Sequence, residues 1–274
     1  MKILNTLTIA LLLCLSYPLS LLADDGFLRK DLYKVKKVVI DAGHGGKDYG
    51  CHGSHSHEKH IALAIALKLG KALKKQVPDI EVIYTRDSDV FVTLNERAAI
   101  ANKHKADLFI SIHCNSAENL SAKGTETFVM GLHKTNSNLA VAKRENQVIL
   151  LEDDYTAAYD GFDPNSPEAH IVFSLYQNAY LAQSIFFASL VEESFKKQAG
   201  RASRGVKQAG FLVLHKTAMP SVLVETGFLT HQTDENFLKT EKGQTIMTNA
   251  ILDAFKTYKT QMERTQLPDQ ISSD

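Results

Sequence analysis

The 274-residue chain lacks an excess of charge of either sign, because 31 lysines and arginines balance 31 aspartates and glutamates. A nucleic-acid-binding protein would carry a basic face, so the composition does not favour a nucleic-acid partner. Internal repeats are also absent, which argues against a repeat architecture. The apolar content of 44% is ordinary for a globular protein. We therefore expect one domain with a sizeable core.

Long apolar runs are lacking too. The longest one near the start, residues 7–15, is interrupted only by Thr8 and is shorter than the ~20 residues that cross a bilayer. Lys2 precedes it and small residues follow it up to Ala23, which is the pattern of a signal peptide. We predict a leader at residues 1–23 and an exported mature chain without a transmembrane segment. An uncleaved anchor is the alternative.

Cysteine is scarce, with three in the whole chain. Cys14 lies in the predicted leader, and bulky Leu13 before it argues against a lipoprotein. Cys51 and Cys114 remain after cleavage, each near a histidine considered below. Export would permit a disulfide between them, and free buried thiols are an equally good interpretation.

Strand-like and helix-like segments alternate along the chain, which predicts an α/β fold: a single domain with a mostly parallel twisted sheet flanked by helices. Short apolar runs bounded by turn residues predict strands, and Thr93 with Glu96 matches a capping box at a helix start. The predicted strands are 37–41, 81–84, 107–113, 125–130, 211–214 and 222–225, and the helices 61–73, 93–104, 171–195 and 243–258. A lead-in at 24–35 precedes the domain at 36–262, and a polar tail at 263–274 is expected to be disordered.

One helical insertion interrupts this alternation at about residues 132–197. It is far longer than the ~4–6 residues of a typical connection. Four of its acids, Glu145, Glu152, Asp153 and Asp154, could reach a nearby metal ion.

Candidate metal ligands follow the predicted strands, where open α/β sheets place their sites. His44 lies in a glycine-rich loop after the first strand, His113 ends another strand, and Glu58 opens a helix. Two histidines and a glutamate can hold zinc with one position open for water. Nearby histidines compete with Glu58 on chemistry alone. We interpret three of them as solvated loop residues and the last as a possible neighbour of the ligands: His52, His55, His57 and His60.

Glu225 ends the apolar strand that begins at Ser221. A carboxylate at the end of a buried strand needs a partner. A salt bridge or cap is one interpretation, and a general base beside a metal is the other. The strand pattern alone does not separate them.

Together these segments resemble the zinc-dependent N-acetylmuramoyl-L-alanine amidases, the cell-wall amidases of the cell-division type. The matching motifs are Asp41-Ala42-Gly43-His44-Gly45-Gly46, Glu58-Lys59, Tyr84-Thr85-Arg86, Arg97 with Ala101-Asn102, 106–113, Arg204-Gly205-Val206-Lys207 and Val224-Glu225-Thr226-Gly227-Phe228. They extend from about residue 36 to 258. Departures are modest: Ala42 stands where proline is frequent, His60 where aspartate is frequent, and Cys114 where a small residue is frequent.

The resemblance implies that His44, Glu58 and His113 bind Zn²⁺ and that Glu225 is the catalytic carboxylate. It implies hydrolysis of the amide between N-acetylmuramic acid and L-alanine in peptidoglycan, in the periplasm, during wall remodelling and daughter-cell separation. It also implies that residues 136–166 block the site until an activator protein binds, although the segment could instead be an extra helical layer. A zinc peptidase or deacetylase on another wall amide, or a non-catalytic wall-binding protein, are the alternatives. The preferred muropeptide, the activator and the oligomeric state stay undetermined.

Overall fold

Six strands form one sheet in the computed structural model, which describes residues 34–174 and 179–264. They are β1 (Lys37–Ala42), β2 (Glu81–Tyr84), β3 (Leu108–Asn115), β4 (Thr125–Met130), β5 (Ser203–Ala209) and β6 (Ser221–Phe228). Their order across the sheet is β2-β1-β3-β6-β4-β5. Neighbours pair in parallel, except that β4 runs antiparallel to β6. The predicted fold class is confirmed.

The helices are α1 (Glu58–Gln76), α2 (Leu94–Lys103), α3 (Asn136–Asn146), α4 (Tyr155–Ala158), α5 (Pro167–Ser174), α6 (Leu181–Lys197), α7 (Leu212–His215), α8 (Gln232–Leu238) and α9 (Glu241–Arg264). A 3-10 turn, Gln147–Leu151, follows α3. Among the described helices, none combines the length and the apolar character needed to cross a bilayer.

The central strands β3 and β6 are buried along their whole length, as expected for strands covered on both faces. Helices α1 and α6 pack against the sheet, and α9 packs against both of them. One apolar cluster joins strand residues such as Val39, Phe109 and Leu223 with Val141 and Ile149 of the insertion. The insertion is thus packed onto the domain and shares its core.

The capping box is confirmed. The Glu96 backbone N–H donates to Thr93 Oγ1 at 3.2 Å, and the Thr93 N–H donates to Glu96 Oε2 at 2.9 Å. These bonds satisfy N–H groups that a helix start leaves without partners. Because α2 begins at Leu94, its next turn brings Arg97 into the interior, where it is 2% exposed.

Two predicted elements are wrong. The segment 211–214, predicted as a strand, is the short helix α7, and the strand before it, β5, was missed. Strand β5 lies at the edge of the sheet and, among the described strands, pairs with β4 alone. Its side chains are mostly half-buried, so its sequence, Ser-Arg-Gly-Val-Lys-Gln-Ala, lacks the apolar pattern of a buried strand.

The single helix predicted at 171–195 is also wrong, because α5 ends at Ser174 and α6 begins at Leu181. The residue before α6, Tyr180, has φ −104° and ψ 13° and is not helical. Helix α5 packs against α3, whereas α6 packs against β4 and β5. One straight helix could not make both contacts, and the sequence alone does not show this.

Some predictions fall on residues outside the described ranges. They include the leader at 1–23 and most of the lead-in at 24–35. Helix α9 continues to Arg264, and residues 265–274 of the predicted tail lie outside the description.

Candidate metal centre

Three strand ends bring the predicted site residues together. Ala42 at the end of β1 pairs with Ile112 of β3, and His113 of β3 pairs with Glu225 of β6. Glu58 is the first residue of α1. The parallel register therefore places residues separated by 181 positions, from His44 to Glu225, at one edge of the sheet, as predicted from the strand ends.

The backbone of the loop after β1 passes very close to the side chains of the candidate ligands. His44 has a left-handed φ of 60°, which is uncommon outside glycine. A Cβ on Gly43 would lie 2.4 Å from Cε1 of His113, and one on Gly50 would lie 2.6 Å from Glu58 Oε2. Side chains at these two positions would collide with the candidate ligands, so the glycines are needed for the two histidines and Glu58 to meet.

Two buried arginines hold this loop by its carbonyl groups. Arg97 donates to the carbonyls of Ala42 and His44, each at 2.7 Å. Arg86 donates to the Ala42 carbonyl at 2.8 Å and to the Gly43 carbonyl at 2.7 Å. Five guanidinium N–H groups in a fixed fork suit this task, which a lysine could not perform in the same way.

Four buried side chains then converge, with one ligand atom from each within 4.8 Å of all the others. Nε2 of His44 lies 3.0 Å from Glu58 Oε2 and 3.2 Å from Glu145 Oε2. Nδ1 of His113 lies 2.9 Å from Glu58 Oε1 and 3.1 Å from Glu145 Oε2. The predicted trio is therefore brought together, and Glu145 of α3 is a fourth member.

Of the four acids of the insertion that could reach a metal ion by sequence, only Glu145 reaches this group in the described structure. Glu152 instead accepts hydrogen bonds from the Tyr159 hydroxyl and the Leu94 N–H. Asp153 and Asp154 are exposed.

Outer contacts orient the ligand atoms. The Nδ1–H of His44 donates to Asp48 Oδ2 at 2.7 Å, which leaves Nε2 facing the other three side chains. The backbone N–H groups of Cys51 and Cys114 donate to the two oxygens of Glu58, at 2.9 and 2.8 Å. Such partners fix the tautomer and direction of metal ligands. Asp48 was missed in the sequence, where its only mark is its place four residues after His44.

The electrostatics favour a positive charge in this pocket. Burial disfavours charged imidazoles, but Glu58, Asp48 and Glu145 outweigh it and raise the pKa of His44 well above its usual value. Burial also disfavours the charged form of His113, but the negative charges of Glu145 and then Glu58 outweigh it and raise the pKa of His113 to about 9. Within the described residues, His44 Nε2 and Glu145 Oε2 are buried without a hydrogen bond. Imidazole nitrogens and carboxylates in this arrangement fit a divalent metal ion.

Glu225 lies beside the group and is 0% exposed. Neither carboxylate oxygen has a hydrogen-bond partner within the described part of the chain. Burial, and then the negative charge of Glu145, raise the pKa of Glu225 well above its usual value. Among the described residues it has an ion-pair contact with Arg144, whose Nη2 lies 3.6 Å from Oε1. A cap is therefore excluded, and the salt-bridge interpretation is reduced to one long contact with the insertion.

The competing histidines lie apart from the centre. His52, His55 and His57 are exposed, as predicted, and His60 is exposed as well. The two cysteines are close in space and carry free buried thiols, with Cys51 Sγ donating to the Cys114 carbonyl at 3.0 Å. Of the alternatives for the cysteine pair, the structure shows the free thiols.

Comparison with known proteins gives consistent matches. Residues 38–257 match the family model described as N-acetylmuramoyl-L-alanine amidase. The amidase AmiA of Escherichia coli K12 is 34% identical over 224 residues, which cover 81% of this chain and 75% of AmiA. AmiC of Escherichia coli O6:H1 is 32% identical, over 81% of this chain and 52% of AmiC. The catalytic domain of CwlV, an amidase from Bacillus (Paenibacillus) polymyxa var. colistinus, is 31% identical with a TM-score of 0.60, covering 81% of this chain and 97% of that domain.

Proposed function

The chain belongs to the N-acetylmuramoyl-L-alanine amidase family, and from this premise we propose that it is a zinc hydrolase of peptidoglycan. It cleaves the amide bond between the lactyl group of N-acetylmuramic acid and L-alanine, in wall remodelling and daughter-cell separation. The observation that supports this best is the buried convergence of His44, Glu58 and His113 beside Glu225, whose carboxylate has no hydrogen bond among the described residues.

Zinc is the metal that suits these donors. His44 would bind it through Nε2, His113 through Nδ1 and Glu58 through its carboxylate, because these atoms face one another. Imidazole ligands favour zinc over magnesium or calcium, and three protein ligands leave a position for reaction. When bound, zinc lowers the pKa of a water molecule and polarises the substrate carbonyl.

Glu225 is the proton carrier in this proposal. Its burial raises the pKa of its carboxyl, which suits it to take a proton from the attacking water and to deliver that proton to the departing nitrogen. A wall-binding protein without catalysis would have no use for such a buried carboxylate, which costs free energy when it has no partner. A zinc peptidase or deacetylase would share the same residues, and only the product distinguishes it.

We include in the proposal that the insertion closes the site. Glu145 lies against both histidines, and its neighbour Arg144 donates to Glu145 Oε1 at 2.9 Å. Residues 136–166 therefore act as an autoinhibitory segment, which an activator protein displaces. We also propose a leader at 1–23, the periplasm as the compartment, and a catalytic domain at 36–262.

Product analysis tests the reaction. Muropeptides are digested with the zinc-loaded protein and analysed by mass spectrometry, with and without a chelator. We expect free stem peptides beginning with L-alanine, and their loss when zinc is removed. Cleavage at another amide, or chelator-insensitive release of the same peptides, would contradict the proposed function.

A matched pair of variants tests the closure. Glu145→Ala should raise basal wall hydrolysis, because the contacts of Glu145 with two histidines are lost. Glu168→Ala, a truncation at an exposed acid on α5, is the control and should leave the rate unchanged. A folded, zinc-loaded Glu145→Ala protein with unchanged or lower hydrolysis would refute autoinhibition by this residue.

A further inference from the structure

Arg144 of α3 fills a small set of hydrogen-bond acceptors beside Glu225. Its Nη2 donates to Asn115 Oδ1 at 3.0 Å, and its Nη1 donates to the Ser116 carbonyl oxygen at 3.1 Å. The same Nη2 lies 3.6 Å from Glu225 Oε1. Three oxygen acceptors therefore face one donor group at the edge of the metal centre, and they belong to the sheet end, whereas the donor belongs to the insertion.

The direction of the Asn115 side chain does not depend on Arg144. Asn115 is 0% exposed, and its Nδ2 donates to Glu126 Oε2 at 3.1 Å. Glu126 is itself paired with Arg204. The Ser116 backbone N–H donates to Asn115 Oδ1 at 2.8 Å. Because the amide nitrogen is held by Glu126, the oxygen must face the centre.

Once the insertion is displaced, these acceptors lose the guanidinium of Arg144, and Asn115 Oδ1 keeps the Ser116 N–H as a donor. A substrate carbonyl or carboxylate placed there would meet only oxygen lone pairs and would be repelled, whereas an N–H group would be bound. The scissile amide carries both kinds of group: a carbonyl oxygen, which suits the side of the pocket where the metal would bind, and a nitrogen with one N–H, which suits the acceptors. The acceptors therefore select the orientation in which the nitrogen points to Asn115 and Glu225.

We propose that Asn115 Oδ1 accepts a hydrogen bond from the leaving nitrogen of the scissile amide, and that Arg144 occupies this position in the closed protein. During reaction the water oxygen forms a bond to the carbonyl carbon, the carbon–nitrogen bond breaks, and the nitrogen keeps the electron pair and takes a proton from Glu225. The nitrogen becomes more positive as it leaves, so its hydrogen bond to Asn115 strengthens on the way to products. This inference rests on the proposed function and adds a residue that touches the substrate.

A pair of substrates isolates the contact. The parent is the full chain with Arg144→Ala and Glu145→Ala, so that the acceptors are open. Asn115→Ala is added to it, and Asn119→Ala, an exposed asparagine in the same loop, is the control. Each protein is given a muramoyl–L-alanyl peptide and the matched depsipeptide in which L-lactate replaces L-alanine, so that the leaving atom is oxygen without an N–H.

We expect Asn115→Ala to lower kcat/KM on the amide by about 10- to 100-fold, the loss of a hydrogen bond to a group that becomes charged. Hydrolysis of the depsipeptide should stay within about threefold of the parent. Zinc content and the Asn119→Ala control should be unchanged. Equal losses on the two substrates would mean that Asn115 only supports the structure, and the inference would be overturned.

A binding measurement keeps this test independent of turnover. The product L-alanyl peptide carries an ammonium at the nitrogen in question, and its N-acetylated form does not. Calorimetry on zinc-loaded parent should show that Asn115→Ala weakens binding of the free amine about tenfold and leaves the acetylated peptide unaffected. If the parent cleaves neither substrate, the proposed function fails. The inference then fails with it, because it rests on that function; if cleavage is intact, unchanged binding of the free amine overturns the inference alone.

Discussion

Replacing Arg97 by methionine should expose how much the buried Asp41–Arg97 pair contributes to the loop that carries His44. Arg97 Nη1 donates to Asp41 Oδ1 at 2.7 Å, and Asp41 is 0% exposed. Methionine keeps the aliphatic stem and removes the charge. Of its hydrogen bonds within the described residues, Asp41 then retains those from the hydroxyls of Thr85 and Ser111, each at 2.6 Å.

Two routes give the magnitude. Breaking a buried ion pair by removing one partner typically costs about 3–5 kcal/mol. Alternatively, Asp41 can escape its unpaired charge by taking a proton. At pH 7 that costs about 3 units at 1.36 kcal/mol each, or about 4 kcal/mol. For a domain of this size, 4 kcal/mol corresponds to a fall in Tm of about 8–16 °C.

The sign of the pH dependence follows from Asp41. In the native protein its pKa is lowered: burial opposes this, but the charge of Arg97 and two hydroxyl hydrogen bonds outweigh it. In Arg97→Met its folded pKa should lie above the unfolded value, so the folded state gains stability as pH falls. Between pH 7 and pH 5 the deficit of the variant should shrink by about 2.7 kcal/mol.

Urea unfolding followed by circular dichroism, at pH 7 and pH 5, measures both quantities on the metal-free proteins. The double variant Asp41→Asn/Arg97→Met is the control, because it leaves no unpaired charge and should lose the pH-dependent part. A deficit under about 1 kcal/mol, or one that is equal at the two pH values, would refute the assignment.

Three further predictions concern the centre and the insertion. His44→Ala and His113→Ala should each lose zinc by elemental analysis, and full occupancy in both would remove them from the ligand set. Glu225→Gln should keep zinc and fold yet lose about 10²–10⁴-fold in activity; near-normal turnover would return Glu225 to the salt-bridge interpretation. Burial lowers the pKa of His170, whose Nε2–H donates to the Pro164 carbonyl at 3.0 Å. From pH 7 to pH 5 the unfolded state therefore binds the proton that the native state refuses, so stability should fall by up to about 2 kcal/mol. His170→Gln should flatten this slope in urea unfolding, and an identical slope would contradict it.

Local patterns in the sequence were enough to predict most strands of the sheet and most residues of the metal centre. Apolar runs such as Val38-Val39-Ile40 become strands buried on both faces, because nothing polar interrupts them. Parallel strands end at one edge, so their following residues, His44, His113 and Glu225, were expected to meet, and they do. Where burial is partial this logic fails, as at the edge strand β5.

What the tertiary structure decided is which of several chemically equal residues reaches the centre. Glu145, Glu152, Asp153 and Asp154 carry the same group, and only the docking of α3 places Glu145 against the histidines. The same docking inserts Arg144 between Asn115 and Glu225. Local sequence encodes the helix, through its period and its caps. Its position depends on contacts with distant strands, and therefore on the folded sheet.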